Sequence, residues 1–188
     1  MKCFTLRIGS VVRDLPIVRV SDSLEIASFV MLGDTALIEA CAEALVAHPA
    51  FPRGGVDLLV CPEAKAIPLT HAMAVRLGVN YVVARKTVKA YMKDPLVEIV
   101  ESITTAGKQT LVLDGPDRMI LDGKRVCIVD DVVSTGGSLV SIERLLSKTG
   151  CSVVAKAAAV LEDGGNDGAG LIYLERLPVF RLSKGSFL

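Results

Sequence analysis

The chain has 188 residues, with 21 basic against 21 acidic side chains, 51% hydrophobic residues and 22% charged residues. That length predicts one domain with a core large enough to need neither disulfides nor a structural metal, and the composition excludes disorder. Zero formal net charge, 4% aromatics and the absence of Trp exclude a broad electrostatic grip on nucleic acid or an anionic membrane and a base-stacking platform, but not a local basic pocket.

The mean hydropathy of +0.50 is high, yet every apolar stretch is interrupted by charge, as by Asp57 or by Glu39 and Glu43. None reaches the roughly 18 residues of a spanning helix, so no membrane is expected as a partner. The start, Met1 to Arg7, lacks the apolar block of a signal peptide. Five widely spaced cysteines (Cys3, Cys41, Cys61, Cys127, Cys151) read as small buried hydrophobes in a reducing cytoplasm. With only His48 and His71, a His-based metal site or triad is not expected.

Taken in chain order, Asp34 caps a helix running to about His48, with Leu37, Cys41, Ala44 and Leu45 on one face. Val56 to Cys61 is a strand buried on both faces. A helix spans Ile67 to Leu77 and closes at Gly78; Tyr81 to Ala84 is the next strand. Val97 to Thr105 and Gln109 to Asp114 alternate around Ala106-Gly107, which predicts an antiparallel hairpin projecting from the core. Arg125 to Val129 is a buried strand, Gly137 to Lys148 a helix, and Ser152 to Leu161 a further strand. The alternation predicts an α/β domain with a mostly parallel sheet. Ligands in such sheets bind beyond the carboxyl ends of strands, after Cys61, Ala84, Val129 and Leu161.

The most informative segment is Val126-Cys127-Ile128-Val129-Asp130-Asp131-Val132-Val133-Ser134-Thr135-Gly136-Gly137-Ser138. Two carboxylates follow a strand, and a hydroxyl- and glycine-rich turn then opens a helix. Thr135 to Ser138 offer backbone N–H groups and two hydroxyls at a helix N-terminus, which suits phosphate. Asp130 and Asp131 suit sugar hydroxyls or a hydrated divalent cation. The implied ligand is a ribose 5-phosphate.

This string resembles the signature of the type I phosphoribosyltransferases, which use 5-phosphoribosyl 1-diphosphate (PRPP). The resemblance covers about residues 34–182, is strongest at 126–138, and leans toward the adenine enzymes because Ser134 replaces the aspartate of hypoxanthine–guanine enzymes. It implies that Asp130 and Asp131 contact the ribose 2- and 3-hydroxyls, near a magnesium ion held mainly by PRPP and water rather than by protein ligands. Val132, Val133, Ser134, Thr135, Gly136, Gly137 and Ser138 complete the PRPP site. Glu63-Ala64-Lys65-Ala66 is similar to the pyrophosphate loop, with Lys65 for the usual arginine and Ala66 for glycine; a lysine loses the bidentate fork. Arg85, Lys86 and Lys89 would join Lys65 on the pyrophosphate, and Lys65, Arg85, Asp130 and Asp131 would carry catalysis. The hairpin around Thr104 to Gln109 matches the mobile loop over the substrate, but Thr105-Ala106 stands where adenine enzymes have Glu-Tyr, leaving Glu101 or Glu98 to substitute.

The implied architecture is one domain over 1–188: a hood of about 1–33 plus the C-terminal tail, over a core of about 34–165. Ala27 to Asp34 lacks the Arg-Asp pair of adenine enzymes; Phe29 and Asp163 are the candidate base contacts. The function implied is transfer of the phosphoribosyl group of PRPP to a purine, adenine-like, in a cytoplasmic homodimer that binds no nucleic acid. The missing pairs and Asp163 keep open a different base (xanthine, hypoxanthine or a pyrimidine). A non-catalytic PRPP-sensing regulatory protein also stays open.

Overall fold

The computed structural model describes residues 2–101 and 108–182. Its centre is a sheet of β4 (Leu58–Pro62), β5 (Asn80–Ala84), β8 (Arg125–Val133), β9 (Ser152–Glu162) and β10 (Ile172–Leu177), in the order β10-β9-β8-β4-β5 with every neighbour parallel. The strands are near-continuous apolar runs because both faces are covered. On one face α1 (Thr35–Ala47) and α2 (Ile67–Leu77) enclose Leu59, Cys61, Cys127 and Val129; on the other α3 (Gly115–Leu121) and α4 (Gly137–Leu146) enclose Val60, Val126 and Ile128. Chain order reverses between β4 and β8, and the crevice beyond a reversal is where such sheets take ligands.

The helix limits follow local chemistry. Asp34 accepts from the Leu37 N–H at 3.1 Å, a cap of about 1 kcal/mol. Gly78 ends α2 in the left-handed conformation, φ 67°, which glycine adopts without strain. Asp34 also receives Arg13 Nε and Nη2 at 2.7 and 2.9 Å, which fastens a second sheet to the core. That sheet, the hood, is antiparallel in the order β1 (Cys3–Ile8), β2 (Val11–Ser21), β3 (Leu24–Ala27), β11 (Val179–Arg181).

Several expectations need correction. The strand expected to stop at Val129 runs on through Asp130 and Asp131 to Val133, because Val132 and Val133 continue the ladder with Val160 and Leu161 of β9. The helix after it ends at Leu146. α3 was not expected; Asp114, accepting from the Gly115 N–H at 2.8 Å, and Pro116 in its first turn mark it. The expected antiparallel hairpin is formed by β6 (Leu96–Glu101) and β7 (Lys108–Leu113), and its base is docked on the core: Arg85 and Val112 exchange two backbone bonds of 2.8 Å, and Leu111 to Leu113 are buried. The tip carrying Thr104 to Gly107 lies outside the described residues. The tail divides, β10 joining the central sheet and β11 the hood. Cys41, Cys61 and Cys127 are buried as expected, while Cys151 is half-buried and Cys3 is exposed. Among the described residues no helix is long and apolar enough to cross a membrane.

Candidate functional site

A cleft of about 1270 Å³ opens beyond β4 and β8, under the hood strand β3 and beside β7. It brings together Glu63, Ala64, Lys65, Ala66, Lys86, Asp130, Asp131, Val132, Ser134, Thr135, Gly137, Ser138 and Phe29 of the residues singled out from sequence.

Asp130 and Asp131 are successive residues of β8, so they leave the strand on opposite faces. Both are buried, at 5% and 7% exposure. Their partners differ. Asp130 Oδ1 accepts from the Asp131 N–H at 2.9 Å and Oδ2 from the Ser138 hydroxyl at 2.9 Å. Asp131 Oδ2 is buried and has no hydrogen-bond partner among the described residues. A buried carboxylate oxygen left unpaired is costly, and the residue that carries it lines the cleft. Burial, with the charge of Asp131 second, pushes the Asp130 carboxyl well above the usual carboxylate range.

Beyond the pair, Gly136 is the N-cap of α4 and supplies no side chain to satisfy the first N–H groups. Ser134, Thr135 and Ser138 beside those donors are exposed, and N–H groups with hydroxyls at a helix N-terminus suit an oxyanion. Gly136 has φ +83°, and a Cβ there would lie 2.5 Å from Asn166 Nδ2. The glycine is therefore required by its backbone conformation and by the loop behind it; Gly136 itself is not among the residues that line the cleft. Val133 is fully buried in the α4-side core and does not line it either.

After β4, Lys65 is exposed on the cleft. Glu63 turns to the end of β5, accepting from the Lys86 N–H at 3.0 Å and from Arg85 Nη1 at 3.3 Å. Those two donors, the amide first, hold its carboxyl below the usual range. Arg85 is thus committed to Glu63, and neither it nor Lys89 lines the cleft; Lys86 does. Two of the four expected cations face the ligand space. Arg144 of α4 is a third, missed from sequence, and makes no ion pair among the described residues.

At the hood end, Phe29, Ile26 and Val30 form an apolar wall. Asp163 is not in it: its carboxylate meets Arg176 Nη1 at 3.3 Å. Glu162 lines the cleft instead. β9 runs one residue further than expected, and alternation then turns Glu162 toward the cleft and Asp163 away. Glu98 is also turned away, bound to Lys148, while its neighbour Ile99 lines the cleft; the side chain of Glu101 lies outside what the structure describes.

Among the described residues no group of three or more His, Cys, Asp or Glu could hold a metal ion. The unpartnered Asp131 oxygen and its neighbour Asp130 do fit a hydrated divalent cation that arrives with a phosphorylated ligand.

Comparison with known proteins gives the family and the fold. A family model for the phosphoribosyl transferase domain matches residues 35–171. The adenine phosphoribosyltransferase of Mycobacterium avium is 33% identical over 153 residues, 81% of this chain and 79% of that protein. The hypoxanthine/guanine phosphoribosyltransferase of Methanothermus fervidus is 36% identical over 109 residues, 58% of this chain, and the match spans about half, 53%, of that relative's length. The crystal structure of the Thermoanaerobacter pseudethanolicus adenine phosphoribosyltransferase superposes with a TM-score of 0.62 at 26% identity, covering 78% of this chain and 84% of that one. The Rhodothermus marinus adenine enzyme shares the fold, with a TM-score of 0.65 at 21% identity over 93% of each chain.

Proposed function

The chain belongs to the phosphoribosyltransferase family, and from that premise we propose that it transfers the 5-phosphoribosyl group of PRPP to a purine base, adenine first, releasing pyrophosphate. One observation carries the reading: Asp131, a buried carboxylate with one oxygen unpartnered among the described residues, lines the same cleft as the first turn of α4 and Lys65.

In this assignment Thr135 to Ser138 hold the 5-phosphate through backbone N–H groups and hydroxyls. Asp131 accepts from the ribose hydroxyls, while Asp130, engaged by Ser138, orients the pair. Lys65 and Lys86 receive the pyrophosphate. A magnesium ion bound with PRPP, near Asp130 and Asp131, would neutralise leaving-group charge. The ring nitrogen of the base bonds to C1 as the C1–oxygen bond to pyrophosphate breaks, and the nitrogen's proton is released. Positive charge gathers on the sugar beside the two carboxylates, and negative charge on the leaving group beside the lysines. Because β4 carries the leaving-group loop and β9 lies on the other side of β8, an incoming base opposite the pyrophosphate meets the β9 end. Glu162 and Phe29 stand there.

Adenine is favoured by the small Ser134 and by the Mycobacterium avium relative, which matches over 81% of this chain. Hypoxanthine or guanine is the second reading, favoured by the 36% identity to the archaeal relative. Glu162, which can only accept when ionised, prefers a base edge rich in N–H donors.

The test is pyrophosphate release from PRPP and magnesium across a panel of purines and pyrimidines. Adenine should give the fastest turnover. Faster turnover with guanine or hypoxanthine replaces the adenine assignment with the second reading. PRPP binding without turnover on any base overturns the transferase reading in favour of a PRPP-binding regulator.

A further inference from the structure

The loop joining β9 to β10 has no part in the chemistry above, yet it rests against the backbone of the phosphate loop. The Asn166 N–H donates to the Ser134 carbonyl at 2.9 Å. A Cβ on Gly165 would stand 2.6 Å from that same carbonyl oxygen and 3.1 Å from Thr135 Cα. The two loops therefore touch backbone to backbone, and a shift in one displaces the other.

A single side chain holds the far side of this arch. Arg176, on the edge strand β10, donates from Nη1 to Asp163 Oδ1 at 3.3 Å and from Nη2 to the Asp167 carbonyl at 3.1 Å. It grips the arch at both ends, with Gly164 to Asn166 between. Its Nε donates to the Tyr173 hydroxyl at 3.1 Å, and its guanidinium carbon lies 5.2 Å from the Tyr173 ring centre. Three acceptors in three directions match the rigid fork of arginine, which a lysine does not reproduce.

From this contact chain we infer that Arg176 is a positioning residue for the 5-phosphate subsite. Through the 163–167 arch it fixes the Ser134 carbonyl, and with it the N–H groups that open α4. The inference rests on the assignment of the 5-phosphate to Thr135 to Ser138. It gives Asp163 a role as an anchor of the arch rather than a base contact. Arg176 and Asp163 are 44% and 49% exposed, so the pair contributes little to global stability. A displaced binding loop is a different matter, since a misplacement of about 1 Å can cost on the order of a hundredfold.

The experiment is calorimetry with ribose 5-phosphate and, separately, with pyrophosphate, on the wild type and on Arg176→Met, Arg176→Lys, Gly165→Ala and Gly170→Ala. Gly165 is outside the left-handed region, so its alanine strains only the contact with the backbone of Ser134 and Thr135. Gly170 has φ +69° and open space around it, so its alanine strains the same loop without pressing on Ser134. Arg176→Met and Gly165→Ala should weaken ribose 5-phosphate about tenfold, with pyrophosphate within about twofold and the melting temperature nearly unchanged. Arg176→Lys should fall between, and Gly170→Ala should bind both ligands as the wild type does. Wild-type affinity for ribose 5-phosphate in both Arg176→Met and Gly165→Ala overturns the inference. Equal losses for the two ligands, or losses in Gly170→Ala as large as in Gly165→Ala, overturn it in favour of a general structural role. A wild type that does not bind ribose 5-phosphate overturns the proposed function, and this inference with it.

Discussion

The Ser138 hydroxyl donates to Asp130 Oδ2 at 2.9 Å, so the first turn of α4 is tied to the acidic pair of β8. The same side of the site that offers N–H groups to a phosphate also fixes the orientation of the carboxylates that would meet the sugar.

That bond does not offset the burial of Asp130, whose carboxyl is pushed from 3.8 up to about 7 by desolvation first and by Asp131 second. Between about pH 4 and 7 the folded chain holds a proton that the unfolded chain has released, so stability falls as pH rises. The contribution is full below about pH 4 and lost as pH passes about 7. Asp117, also raised by burial, acts in the same direction, which makes the comparison with Asp130→Asn the informative one. Thermal melts of ligand-free protein from pH 5 to 8 should fall more steeply for the wild type than for Asp130→Asn. Parallel curves would refute the raised carboxyl.

Asp131→Asn should separate stability from binding. The variant removes a buried charge whose Oδ2 has no partner, so the free protein should melt at the same temperature or a few degrees higher. Magnesium-dependent PRPP binding should fall at least about tenfold, the loss of one charge-assisted contact of about 1.5–3 kcal/mol. Unchanged PRPP affinity by calorimetry would remove the ribose from this carboxylate.

Lys65 faces the cleft, whereas Arg85 is held by Glu63. Lys65→Ala should therefore weaken pyrophosphate and PRPP by about ten- to a hundredfold and leave nucleoside monophosphate nearly untouched. Arg85→Ala should have the smaller direct effect on pyrophosphate. A larger loss for Arg85→Ala than for Lys65→Ala would show that the two cations exchange roles when ligand binds.

Gly136→Ala combines a left-handed backbone, φ +83°, with a Cβ 2.5 Å from Asn166 Nδ2. The backbone part alone costs about 1–2 kcal/mol, and melting should drop by about 2–8 °C for a chain of this size. Asn166→Ala in the same chain should recover the steric part and not the backbone part. Full recovery by the double variant would mean that φ at 136 adjusts freely.

The order of the core elements α1, β4, α2, β5, β8, α4 and β9 was legible in the sequence because it is a local property: apolar runs make strands covered on both faces, and Asp34 and Gly78 mark helix ends whatever lies around them. The acidic pair and the Ser-Thr-Gly-Gly-Ser turn were legible for the same reason, since thirteen consecutive residues carry the strand, the carboxylates and the anion site together. What the tertiary structure decided was which side chains are free. Asp130 and Asp131 look equivalent in sequence, yet Ser138 from the next helix satisfies one, and the buried cleft leaves an oxygen of the other unpaired. Arg85 and Lys65 look alike as ligand cations in sequence, yet Glu63, 22 positions from Arg85, accepts from its Nη1 at 3.3 Å while Lys65 is exposed on the cleft. Asp163 and Glu162 differ by a single strand position, and only the register of β9 against β10, with Arg176 waiting on one side, determines which carboxylate faces the cleft. Pairings over long sequence separation carry no periodic signal, so they become readable only once the chain has folded.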